Sequence, residues 1–244
     1  MLCFMVFGSG VAAARDIGFV RGLSQAGFRS LSEEAGATIA YRKVGPAAPL
    51  GVTGFDVGLE VSAVDIREDS AYWQAAFGDH APSLIYLPRL RVRKGLLFGI
   101  DVGASYLKVP DSNVQVFGFE LAKALLEGTA ATPALGLRAT YSRLSGVDDL
   151  ELQTVGLDAC VSKGLMFVTP YAGVGGLWID SKAKGRLQSL ATSTPGLGPL
   201  QEEKFFQPRV FAGLEIKPLP LFRVVGEIEY SERPVYTLKA AIGF

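Results

Sequence analysis

The chain is predicted to be all-β, a transmembrane antiparallel barrel of about twelve strands, within a range of ten to twelve. Three observations predict it. Segments of about ten residues alternate large apolar side chains with glycine, small or charged ones, and turn residues separate them, as a barrel with an apolar outside and a polar inside requires. Hydrophobic residues make up 49% of the chain. Yet beyond the first residues no run approaches the ~18 to 20 apolar residues of a membrane-spanning helix. The 29 glycines favour strands that line a narrow interior. The formal net charge is zero, so there is no basic stripe of the kind that binds nucleic acid.

From the N-terminus, Met1 to Phe7 is apolar and Gly8 to Ala14 is small, followed by Arg15 and Asp16. Residues 1–14 therefore read as a secretory signal with an Ala-x-Ala site at Ala12 and Ala14, although a basic leading region is missing. Its removal would leave Cys160 alone, with no intramolecular disulfide possible. Segment 15–35 supports two readings. Part of it can be a first strand; alternatively Phe19, Leu23, Gly27 and Leu31 form one stripe of a short helix, in the lumen as a plug or at its mouth. Residues 36–244 are assigned to the barrel.

Within that stretch the clearest strands are 55–63, 96–106 and 222–230, each with its acids and glycines on one face. Weaker candidates are 36–43, 84–93, 114–126, 133–144, 152–162, 165–179 and 205–216. The closing strand, Tyr236 to Phe244, brings the recognisable segments to eleven, and part of 15–35 would bring them to twelve. In the closing strand Tyr236, Leu238, Ala240, Ile242 and Phe244 share one face, while Thr237, Lys239, Ala241 and Gly243 share the other. This strand with its terminal aromatic resembles the last strand of bacterial outer-membrane β-barrels.

The resemblance implies a location in the bacterial outer membrane, contact with outer-membrane lipid, and recognition by the barrel-assembly machinery through the C-terminal strand and Phe244. Such barrels have short periplasmic turns and longer outer loops. Counting back from Phe244 puts 94–95, 163–164 and 217–220 at the periplasmic end, and the two longest connections, 67–83 and 180–204, outside. Pro88, Pro170 and Pro208 fall inside strands, where bulges are expected to accommodate them. Lys123 falls on an apolar face and needs an interface to snorkel toward.

Candidate functional residues lie on the inner face. Arg89, Arg91 and Arg93 alternate with Leu90 and Val92, so three guanidinium groups share one side of one strand. Glu60, Asp101 and Glu120 on neighbouring strands are their expected partners, and Arg138 continues the mixture. Two roles suit this pattern: an ion-paired lattice that fills a narrow barrel, or an electropositive track that selects anions in an open pore. Inner-face glycines, Gly58, Gly103 and Gly118 among them, require water or peptide to occupy the space they leave. In loop 67–83, Tyr72, Trp73 and Phe77 are candidate contact residues on a short amphipathic helix. Loop 180–204 is expected to be mobile.

The single histidine, His80, has Asp79 and Ser83 nearby, but such close neighbours in a loop seldom hold catalytic geometry. No enzyme, cofactor or metal site is expected. The leading functional expectation is a porin- or transporter-like barrel for passage or binding of a small molecule. The second is a structural or surface-interaction barrel with a closed, ion-paired lumen.

Overall fold

The structure is a computed structural model that describes residues 18–77, 83–109 and 112–244. Ten strands close on themselves, each antiparallel to its neighbours: β1 (Phe55–Asp65), β2 (Leu84–Gly95), β3 (Ile100–Lys108), β4 (Gln115–Leu126), β5 (Ala134–Ser145), β6 (Leu150–Ser162), β7 (Val168–Ala183), β8 (Glu203–Leu219), β9 (Phe222–Tyr230) and β10 (Pro234–Gly243). The β1–β10 seam is sealed at one end by Phe244, whose backbone exchanges hydrogen bonds with Phe55 at 3.0 and 3.1 Å. Their rings meet edge to face at 4.8 Å.

Burial alternates along every strand, and the outward residues are apolar: Leu59, Leu121, Val174, Ile228 and Leu238 are all more than half exposed. Strands of 9 to 17 residues suffice to cross a bilayer when tilted, since about 9–11 residues are needed. Aromatics ring both ends. Tyr86, Tyr106, Trp178, Phe206, Tyr230 and Tyr236 lie toward one rim, and Phe98, Phe167, Phe222 and Phe244 lie at the other. The surface is that of a membrane-spanning barrel of the outer-membrane type. Lys123 sits beside the second rim and donates its ammonium to the carbonyl of Phe98, the snorkelling that its position demands.

Ten strands, not twelve, is the first correction. Segment 36–43 alternates in sequence but forms no strand, and the barrel begins at Phe55 rather than residue 36. A helix, α1 (Gln25–Ile39), runs inside the barrel, capped by the Ser24 hydroxyl accepting from the Gly27 amide. At 15 residues it is about 22 Å long. Of the two readings of 15–35, the helical plug is the one observed over the described part; residues 1–17, with the expected signal, lie outside the described residues.

Connection lengths orient the molecule: the turns after β2, β4, β6 and β8 lie at the Phe244 end, and the long connections carrying α2 (Ala71–Phe77) and α3 (Gly185–Ser193) lie at the other. Within 180–204, expected as a loop, Gly185–Ser193 form α3. Its Leu187 and Ala191 are buried against the top of the plug, where a Cβ on Gly22 would come within 2.8 Å of the Leu190 carbonyl oxygen. Pro88, Pro170 and Pro208 sit within strands whose register continues through them. The irregularities fall instead between Ala124 and Leu126 and between Ile216 and Leu219, next to periplasmic turns. A strand residue's N–H points to one neighbour only, so each proline forfeits one bond without shifting the ladder.

Candidate functional site: the filled lumen

Inward-facing residues change character with depth. Near the outer mouth they are Val64, Leu87, Leu107, Val116, Leu144, Leu152 and Ile179; in the middle they are Ser62, Ser105, Thr140, Ser142, Thr154 and Thr237; the periplasmic half is charged. The N-terminal segment threads all three layers. Residue 20 hydrogen-bonds α2 at the mouth, Val20 N to Ala75 O at 2.9 Å. From there α1 descends, and residues 40–54 continue without helix or strand to the start of β1.

The arginine row faces inward and meets Glu60, Asp101 and Glu120, and it also reaches backbone acceptors that the sequence did not suggest. Arg91 lies 2.9 Å from Glu60 and Arg89 lies 3.4 Å from it; Arg93 reaches Asp101 at 2.9 Å and also binds Glu120. The pairing of β2 with β1 and β3 delivers Glu60 and Asp101, and Glu120 comes from β4, the next strand beyond β3. The remaining donors turn to the plug backbone. Arg89 donates to the carbonyls of Ala40 at 3.3 Å and Ile39 at 3.5 Å, Arg91 to Lys43 at 2.8 Å, and Arg209 to Tyr41 at 3.1 Å. Arg42 folds back onto the carbonyls of Ala37 and Thr38 at 2.5 and 3.2 Å. The last carbonyls of a helix carry partial negative charge and lack intrahelical partners. Guanidinium groups from both wall and plug therefore cap α1 inside the barrel.

Arg138 and Arg209 both grip Asp158, at 2.5 and 2.6 Å, and Lys239 holds Asp56 at 3.0 Å. Among the described residues below α1 there are eight buried cations and eight buried carboxylates, a balance that suits the ion-paired lattice of the two expected roles rather than the electropositive track. Arg42 and Arg91 are 0% exposed and Arg209 1%. Space is closed as tightly as charge: a Cβ on Gly118 would stand 2.6 Å from the Tyr41 ring, and one on Gly103 would be 3.0 Å from its hydroxyl. Gly103 and Gly118 thus let the plug's Tyr41 approach the wall closely. Arg91 also stacks over the Tyr41 ring at 4.3 Å.

At the mouth, Tyr72 and Trp73 turn inward and are nearly buried, with Phe77 packed behind them. Glu34 of α1 receives the Tyr72 hydroxyl at 2.9 Å and the Trp73 indole N–H at 2.5 Å, and Arg67 approaches it at 3.5 Å. Burial pushes the Tyr72 phenol above its ordinary value, and the Glu34 carboxylate adds to the shift, so the hydroxyl stays a donor. His80 and Asp79 lie outside the described residues. Sequence reasoning missed Glu34, Tyr41, Arg42, Lys43 and the α1 carbonyls. The adjacent Arg42 and Lys43 were a usable signal, since a wall strand would have sent one of them into lipid.

No family model matches the chain, and no curated protein matches it. Among solved structures it is similar to Neisserial surface protein A, with 11% identity over 78% of this chain and 95% of that one and a TM-score of 0.36. It is similar to Ail, the attachment invasion locus protein of Yersinia pestis, in complex with a heparin analogue, at 12% identity over 78% and 98% of the two chains and a TM-score of 0.33. It is also similar to the KdgM porin in complex with oligogalacturonate, at 9% identity over 78% and 99% and a TM-score of 0.37. At these values the similarity carries nothing about ligand or role.

Proposed function

We propose that this outer-membrane barrel is closed and acts at its outer mouth, by binding or surface interaction, rather than by passing solutes. The observation that carries the reading is the plug: residues 18–54 occupy the lumen, and the guanidinium groups that fix them are fully buried. A passage would have to break several charge pairs in a low-dielectric space, where losing one partner costs about 3–5 kcal/mol. The porin-like reading, passage of a small molecule, requires the plug to leave. The closed reading is not enzymatic and needs no cofactor or metal.

Assembly belongs to the same proposal. Phe244 both closes the β1–β10 seam and ends the strand expected to engage the assembly machinery, so its deletion should slow insertion. The deciding experiment is single-channel recording of the refolded chain in planar bilayers. Little or no conductance supports the closed barrel; sustained open conductance of the unaltered chain overturns it.

A further inference from the structure

The outer half of the lumen is not full. Between α1, α2 and the wall strands β2–β6 lies a chamber of about 90 Å³. Leu31 and Ala35 of α1 form one side, Trp73 and Ala76 of α2 the roof, and Leu87 and Leu152 the wall. Among the described residues, the hydroxyl side chains on its surface are Thr38 and Ser112. Both hydroxyls are engaged, Thr38 donating to the Glu34 carbonyl at 2.7 Å and Ser112 accepting from the Val114 amide at 3.1 Å. The Glu34 carboxylate is held by Tyr72 and Trp73. Among the described residues, none on the chamber surface is left to recognise a polar group.

An apolar chamber that the protein's own side chains leave unfilled is a cost to the fold, because its lining lacks protein contacts on one side. Filling it would take little, since Ala35 and Ala76 present single methyl groups where a larger residue would reach across. A dry apolar cavity of this kind takes apolar guests. The geometry points to a binding site for an unbranched hydrocarbon chain, with α2 as its roof. The volume selects the shape: a cavity of ~150 Å³ accepts a benzene ring, and this smaller one suits a chain a few carbons long. The site deepens the proposal that the barrel works at its mouth, but it does not need the lumen to be closed below.

The roof is a helix of seven residues, tied down by Glu34 and by the bond from Val20 to Ala75 at 2.9 Å. Such short, locally held elements open at lower free energy than the strands around them. Lifting α2 would expose the chamber to the outer surface and to the upper membrane edge. The chain can come from a free amphiphile or from the tail of a bilayer lipid, and the two sources are separable.

The test uses the fact that the chain has two tryptophans. Trp178 faces outward, so Trp178→Phe leaves Trp73 as the sole reporter, on the chamber wall. In lipid nanodiscs, 1-bromopentane should quench Trp73 saturably. Ala76→Leu fills the chamber and should weaken that quenching roughly tenfold or more, as a change of one or a few carbons does in an apolar pocket. Ala35→Val is the second filling variant, and heat-modifiable migration on gels verifies that each variant is folded. Nanodiscs containing lipid brominated along its acyl chains form the other arm; quenching there that the filling variants suppress identifies a lipid tail, and its absence with saturable quenching by 1-bromopentane identifies a free molecule. Quenching linear in probe and equal in filled and unfilled chains is partition into the bilayer and overturns the site. Channel recording judges the closed lumen separately, so a conducting barrel with saturable quenching would sink that reading and keep this one.

Discussion

The inner and outer halves of the lumen hold the same plug by opposite means. In the periplasmic half directional contacts set the plug's position, Arg91 between Glu60 and the Lys43 carbonyl and Arg209 between Asp158 and the Tyr41 carbonyl, beside a small apolar cluster of Val44, Ala47, Phe211 and Val225. In the outer half α1 lies against leucine, valine and alanine, and a void survives there. A buried charge without a partner is expensive, so the charged half must be filled and matched at each position. Apolar packing tolerates an unfilled volume at modest cost, so the outer half can leave room. Rigidity belongs below and adaptability above, next to the seven-residue helix that roofs the chamber.

The largest effect should come from attacking the lower half. Arg91→Glu would place a second carboxylate against Glu60 and remove a donor from the Lys43 carbonyl. Such a buried pair loses about 3–5 kcal/mol when one partner goes, against less than about 1 for an exposed pair. Urea unfolding of the refolded protein in lipid vesicles should show a large fall in midpoint, with the slope unchanged. A small fall would mean that water reaches the lattice and that the halves differ less than described.

Gly118→Ala adds one methyl group to the same half. Its Cβ would sit 2.6 Å from both the Ser105 hydroxyl and the Tyr41 ring, and Tyr41 is wholly buried with nowhere to move. Overpacking of this kind costs about 1–3 kcal/mol. The same unfolding experiment reads it, and a neutral result would place slack beside the plug where none is described.

At the boundary between the halves, Glu34→Ala would strand the Tyr72 hydroxyl and the Trp73 indole N–H. An orphaned buried donor costs about 1–3 kcal/mol, but the loss should be local to α2. Hydrogen exchange of residues 71–77 should accelerate while the strand amides stay protected. Equal acceleration throughout the barrel would show that the roof is not a separate unit.

How much of this was legible depended on whether the signal was periodic. Strand alternation is a one-dimensional pattern, so nine inner wall segments and the closing strand could be read directly, along with the inward direction of Arg89, Arg91 and Arg93. The partners of those arginines were half legible: the carboxylates Glu60, Asp101 and Glu120 could be named from inner-face alternation, but main-chain acceptors carry no side-chain signature, so the carbonyls of Ile39, Ala40 and Lys43 were invisible. Segment 36–43 misled because Thr38, Ala40 and Arg42 alternate with Ala37, Ile39 and Tyr41, as a strand would. What decides against it is close packing: a Cβ on Gly36 would lie 2.6 Å from Ile179, a contact between elements far apart in sequence. The chamber was illegible for the same reason, since Ala35 and Ala76 leave a hollow only when α1 and α2 face each other.

The comparison is sharpest when the two halves receive the same kind of change. Ala76→Leu adds three carbons in the outer half, where Gly118→Ala adds one in the inner. If the chamber is the void described, the leucine enters unoccupied space, gains contacts with Leu87 and Leu152, and stabilises the fold by about 0.5–1 kcal/mol, in the range of cavity-filling substitutions. The smaller addition below should destabilise. Opposite signs for the two substitutions, measured under one set of vesicle conditions, require one half to be full and the other hollow. Were Ala76→Leu to lower the midpoint as Gly118→Ala does, the roof would already be packed against the wall, and the interior would be uniform from mouth to base.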